Sequence, residues 1–161
     1  MHRFVTPLIL AAMGAAAPAL AQVPAACTAS PAALPPGFAG WATARPIGSG
    51  ALRVGEATRM VLTRGVRFAV TTSRESRPGI FAGAASLSVD RAGDYRIGLS
   101  EGAWLDMVRD GAALPSTAHA HGPACSGLRK IVTFHLMPGR YTLQVSNGAS
   151  AAVTVEVVAG A

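Results

Sequence analysis

The sequence predicts an all-β fold: two antiparallel sheets packed face to face in a jelly-roll-like sandwich of about eight or nine strands. Three observations carry this expectation. Hydrophobic residues make up 50% of the chain and charged residues 14%, so a buried core is available and disorder along the whole length is excluded. Eighteen glycines and eleven prolines punctuate the chain too often for a helix bundle. Where apolar residues line up, they do so with a period of two and never with a sustained helical period. With 161 residues, one domain is expected.

The elements follow in order. Residues 1–21 read as an export signal: His2 and Arg3 precede an apolar run from Phe4 to Leu20, which closes on the small-x-small ending Ala19-Leu20-Ala21. Pro7, Gly14 and Pro18 interrupt that run, which argues against a transmembrane anchor. Residues 22–50 form a Pro/Ala-rich lead-in, expected to run extended over the surface, pinned by Phe38 and Trp41. Residues 51–161 form the sandwich. Its first strand faces are Met60 with Leu62, Val66 with Phe68 and Val70, and Leu87 with Val89. Tyr95, Ile97 and Leu99 form the next face, followed by Leu105 and Met107 before the Asp110-Gly111 turn. Val132, Phe134 and Leu136 precede the turn at Pro138-Gly139, and Tyr141, Leu143 and Val145 lead to Asn147-Gly148. An Asn-Gly pair between alternating runs predicts a hairpin to the last strand, which carries Val153, Val155 and Val157.

Loss of the export segment removes Arg3 and leaves a net charge of +5. The remaining basic residues, all arginine except Lys130, are scattered singly. Nucleic acid binding, which calls for a basic stripe, is set aside on that ground. No transmembrane segment follows the signal, and the expected location is periplasmic or secreted.

Chemistry concentrates in Ser116–Gly127, which holds His119, His121 and Cys125. On an extended backbone the two imidazoles point to one side, and the Gly122-Pro123 bend can return Cys125 toward them. Imidazole with thiolate suits copper or zinc. The competing reading is a Cys27–Cys125 disulfide, the usual fate of two cysteines in an exported protein, and a bridged Cys125 is no thiolate ligand. His135 joins the group only if its strand face turns toward this loop. Ser126 lacks a Gly-x-Ser-x-Gly elbow, and the acidic residues show no paired spacing for acid and base work.

Several stretches together resemble a known family: Gly93-Asp94-Tyr95-Arg96 through Ala103-Trp104-Leu105-Asp106, Val108-Arg109-Asp110-Gly111, His119 to Gly127, and Pro138-Gly139-Arg140-Tyr141-Thr142-Leu143-Gln144. The family consists of short exported bacterial proteins to which the label homogentisate 1,2-dioxygenase is often attached. The resemblance covers roughly residues 84–158, with Cys27 and Trp41 also family-like. The strand openings are in addition similar to those of jelly-roll domains appended to secreted enzymes. The label implies a cupin-type enzyme whose iron is held by two histidines and a glutamate. His119-Ala120-His121 matches the first histidine pair, but no glutamate follows it, and Arg140-Tyr141-Thr142 supplies no later histidine. The expectation is therefore a binding or accessory protein that takes a metal or small ligand at the His119-x-His121 loop. The alternatives are a dioxygenase and a structural envelope protein with a protein partner.

Overall fold

The computed structural model describes residues 27, 32–47, 50–70, 74 and 80–160; the expected signal peptide lies outside them. The lead-in contributes a single 3-10 turn, Trp41–Thr43, and strand β1 (Arg45–Pro46). Strands β2 (Ala51–Leu52), β3 (Ala57–Val61), β4 (Thr63–Arg64), β5 (Phe81–Val89), β6 (Gly93–Leu99) and β7 (Trp104–Arg109) follow. The chain continues through β8 (Ala112–Leu114), β9 (Ala118–His121), β10 (Lys130–Leu136), β11 (Gly139–Gly148) and β12 (Ala152–Ala159). The first sheet runs β1-β3-β12-β6-β10-β9; the second runs β2-β5-β11-β7-β8, with β4 also on β5.

The alternating residues do what their period dictates. Met60, Ile97, Leu99, Val132, Phe134, Val155 and Val157 of the first sheet meet Leu87, Leu105, Met107, Leu143 and Val145 of the second in one continuous core. The protein is a two-sheet β-sandwich. Among the described residues twelve strands replace the expected eight or nine, because short edge segments, β1, β2, β4, β8 and β9, add to the long ones. The sheets are mixed rather than purely antiparallel: β1 runs parallel to β3 and β2 parallel to β5.

Two sequence expectations are corrected. Val66, Phe68 and Val70 belong to no strand; Gly65, with φ +73°, turns the chain away after β4, and the three residues remain half-buried. Asn147-Gly148 makes no hairpin, since β11 lies in the second sheet while β12 pairs with β3 and β6 in the first. Asn147 does take the left-handed conformation, φ 57°, but spends it on an irregularity opposite β5 and on the crossing between layers. The true hairpin of this kind is β7–β8, where Asp110 and Gly111 have φ values of 50° and 76°.

The crossings β5→β6 and β10→β11 share one device. Each opens with Gly-x-Tyr, Gly93-Asp94-Tyr95 and Gly139-Arg140-Tyr141, and the glycines have φ of +157° and +149°, values that L side chains rarely adopt. Each tyrosine hydroxyl then donates to a carbonyl four residues upstream, Tyr95 to Arg91 at 2.9 Å and Tyr141 to Met137 at 2.6 Å. Tyr141 also accepts from the Met137 N–H and from Arg109 Nη1. These contacts hold Arg109 protonated more firmly than usual, the Tyr141 hydrogen bond being the main cause.

The lead-in crosses the outer face of the first sheet as a strap. Phe38 and Trp41, edge to face at 6.4 Å, pack with Leu128, Ile131 and Val158 in a second apolar cluster. Gly98 leaves room for this: a Cβ there would stand 2.6 Å from Phe38 and 2.7 Å from Leu128. Arg96 donates to the Pro36 carbonyl and lies 5.5 Å over the Phe38 ring. Beneath the strap, Glu156 is fully buried and accepts a 3.1 Å bond from the Gly40 N–H, while its Oε2 has no partner. Burial raises the Glu156 pKa, and the Gly40 bond opposes the rise.

Candidate functional site

The strap ends at the loop that sequence reasoning singled out. Cys27 and Cys125 form a disulfide with α-carbons 5.4 Å apart, and the Ala32 N–H donates to the Ala124 carbonyl. The loop from Gly122 to Arg129 leaves β9 and returns into β10. Its ends are closed by bonds from the Gly122 N–H to the Arg129 carbonyl and from the Arg129 N–H to the Leu99 carbonyl. Within it, Ser126 Oγ donates to the Pro123 carbonyl at 2.7 Å and accepts from the Leu128 N–H at 3.2 Å. That hydroxyl braces the turn. A Cβ at Gly122 would collide with the Leu128 carbonyl, so the bend at Gly122-Pro123 depends on the missing side chain.

Against this loop lies a cavity of about 360 Å³, lined by Ser100, His121, Gly122, Pro123, Ala124, Cys125, Gly127 and Arg129. Such a volume falls at the small end of ligand pockets, which span about 300–1,000 Å³. Among the described residues its lining holds an imidazole, a guanidinium and a hydroxyl, and no carboxylate. Ser100 Oγ accepts from the Thr154 N–H at 2.9 Å, which leaves its own proton to donate elsewhere. Lys130, opposite His121 in the β9–β10 register, is occupied otherwise. Its ammonium donates to the Ala103 carbonyl and sits 5.1 Å over the Trp104 ring, and burial lowers its pKa.

The structure divides the expected metal set. His119 and His121 sit in register positions two apart on exposed edge strand β9, as their spacing implied. Only His121 lines the cavity. Cys125 is withdrawn as a ligand because its sulfur is committed to Cys27. His135 is not brought to the loop: it lies near the far end of β10, where its Nδ1 stands 2.8 Å from Asp94 Oδ1. Among the described residues, no three of histidine, cysteine, aspartate and glutamate gather as a metal-holding group. Two imidazoles fall short of the three or four protein ligands that copper and zinc centres use. The two-histidine, one-glutamate cage implied by the dioxygenase resemblance is likewise not assembled among them.

Ser100 and Arg129 were missed by sequence reasoning. Arg129 closes the loop ahead of β10 and reads as one more scattered arginine. Ser100 directly follows β6, twenty-nine positions before Arg129, and reaches the loop only because β6 pairs with β10. No protein-family model matches the chain, and no curated protein does.

Proposed function

We propose that the protein is an exported binding or accessory module, periplasmic or secreted, that takes a small ligand in the cavity beneath its disulfide-pinned loop. The observation that carries this reading is the cavity itself: about 360 Å³, bounded by Ser100, His121, Arg129 and a loop tied covalently to the strap. A covalently fixed loop preorganises a site and so lowers the ordering cost of binding. The disulfide suits an oxidising compartment. Among the described residues no helix is long and apolar enough to cross a membrane.

The test is a binding screen on the oxidised full chain with a mixed set of small carboxylates, phosphates, sugars and amines, read by thermal shift. The same screen on Ala124→Trp, which puts an indole into the cavity, supplies the control. Ligands that stabilise the wild type and not the variant support the reading. A blank screen, or hits indifferent to the indole, would turn attention to the structural alternative and its protein partner.

A further inference from the structure

The lining of the cavity says more than its volume does. Among the residues that bound it, the main-chain N–H groups of Ala124, Cys125 and Gly127 make no hydrogen bond to any described residue. Cys125 and Gly127 have φ values of 59° and 74°, so left-handed residues flank Ser126 on both sides. The Ser126 N–H between them is turned back to the Pro123 carbonyl, so the unbonded donors are the adjacent pair Ala124 and Cys125, with Gly127 beyond the turn. The same cavity is bounded by the Arg129 guanidinium, which has no ion pair with any described residue, and by the Ser100 hydroxyl with its proton to spare. Unbonded donors and a positive charge thus line the wall, and among the described residues no carboxylate does.

We infer that the cavity binds the oxyanion group, carboxylate or phosphate, of a small ligand, with Arg129 as its charged anchor and the main-chain N–H groups of Ala124, Cys125 and Gly127 as further donors. This rests on the reading of the cavity as the binding site. A planar guanidinium supplies two parallel donors to such a group, and charge-assisted bonds of this kind are about twice as strong as neutral ones. The disulfide then has a second role: it ties Cys125, and with it the donors on either side, to the strap at the cavity wall.

The test is a titration of the isotope-labelled, oxidised full chain with sodium phosphate and separately with sodium acetate, ionic strength being held constant with chloride. The expected result is saturable movement of the amide signals of Ala124, Cys125, Gly127 and Arg129, with tighter binding by one salt naming the phosphate or the carboxylate source. Arg129→Ala should weaken that binding by about tenfold or more, the loss of one charge-assisted contact. Arg140→Ala, exposed on the other sheet, should leave it unchanged. Signals elsewhere in the Arg129→Ala spectrum show directly whether the variant keeps its fold, and Ser100→Ala gives an independent second reading. Movement spread evenly over all arginines, or equal affinity in Arg129→Ala, overturns the inference. If glucose or a small amine moves the same amides while both anions do not, the anion assignment falls and the binding role stands. If none of these probes moves them, both fall.

Discussion

Replacing Cys27 and Cys125 together by serine removes a cross-link between positions 98 apart in sequence. In the chain-entropy account, closing a loop of that length takes away unfolded-state freedom worth about 4.7 kcal/mol. A domain of ordinary stability, about 5–15 kcal/mol, survives such a loss but only with a reduced margin. For a domain of this size the melting temperature should drop on the order of 10–20 °C. The strap itself should stay docked, because Phe38 and Trp41 keep their burial, worth about 1.5–3 kcal/mol per large apolar side chain, in both forms. The assay is urea denaturation of the oxidised chain, the same chain with reductant, and the double variant. The reduced chain and the variant should coincide, both at a lower midpoint, with a slope equal to or slightly above that of the oxidised form because the freed unfolded chain expands. A loss below about 1 kcal/mol would refute the reasoning, since the loop would then place little constraint on the unfolded ensemble.

Other substitutions probe other parts of the design. Glu156→Gln removes a buried titrating group whose folded pKa is raised. Wild type and variant should differ least at pH values below the ordinary carboxylate range; as pH rises through the raised value the wild type must bury a charge and loses stability, so the gap should widen in favour of glutamine and then level off. Urea midpoints across that range check it, and a gap independent of pH counts against it. Gly98→Val drives a side chain into Phe38 and Leu128 and should cost about 1–3 kcal/mol, with Trp41 emission shifted to the red as the strap lifts; an unshifted spectrum would show that the strap can repack. Tyr141→Phe leaves the Met137 N–H and carbonyl without their partner and should cost about 1–3 kcal/mol by urea denaturation, more than Tyr95→Phe, whose hydroxyl makes one such bond. Titration with copper or zinc should broaden the His119 and His121 signals in a readily reversed manner, and a stoichiometric complex that survives a chelator would contradict a two-imidazole site.

The long strands were legible because burial on one face imposes the period of two: Tyr95, Ile97, Leu99, Val132, Phe134 and Leu136 read correctly from spacing alone. Sheet membership was not. Asn147-Gly148 carries a strong local hairpin signal, yet the partner of β12 is decided by which apolar faces meet across the layers, and that information is non-local. The strap was half legible. Phe38 and Trp41 stood out in a stretch of prolines and alanines, but nothing in that stretch says which face they cover, and the receiving residues Gly98, Ile131 and Val158 lie far along the chain. At the cavity, His121 and Cys125 were visible as residue types with chemistry. Arg129, Ser100 and three unbonded backbone donors depend on strand pairing and on φ values that sequence does not display.

The strap makes the lead-in part of what must fold. A shortened chain beginning at Ala51 would keep every long strand, yet leave Leu128, Ile131 and Val158 open to water and uncover the Glu156 carboxylate. It would also orphan Cys125 as a thiol ready to pair with another molecule. Trimming to the sheets alone thus trades a capped sandwich for a sticky, oxidation-prone fragment, and the useful N-terminal limit for recombinant work lies ahead of position 27.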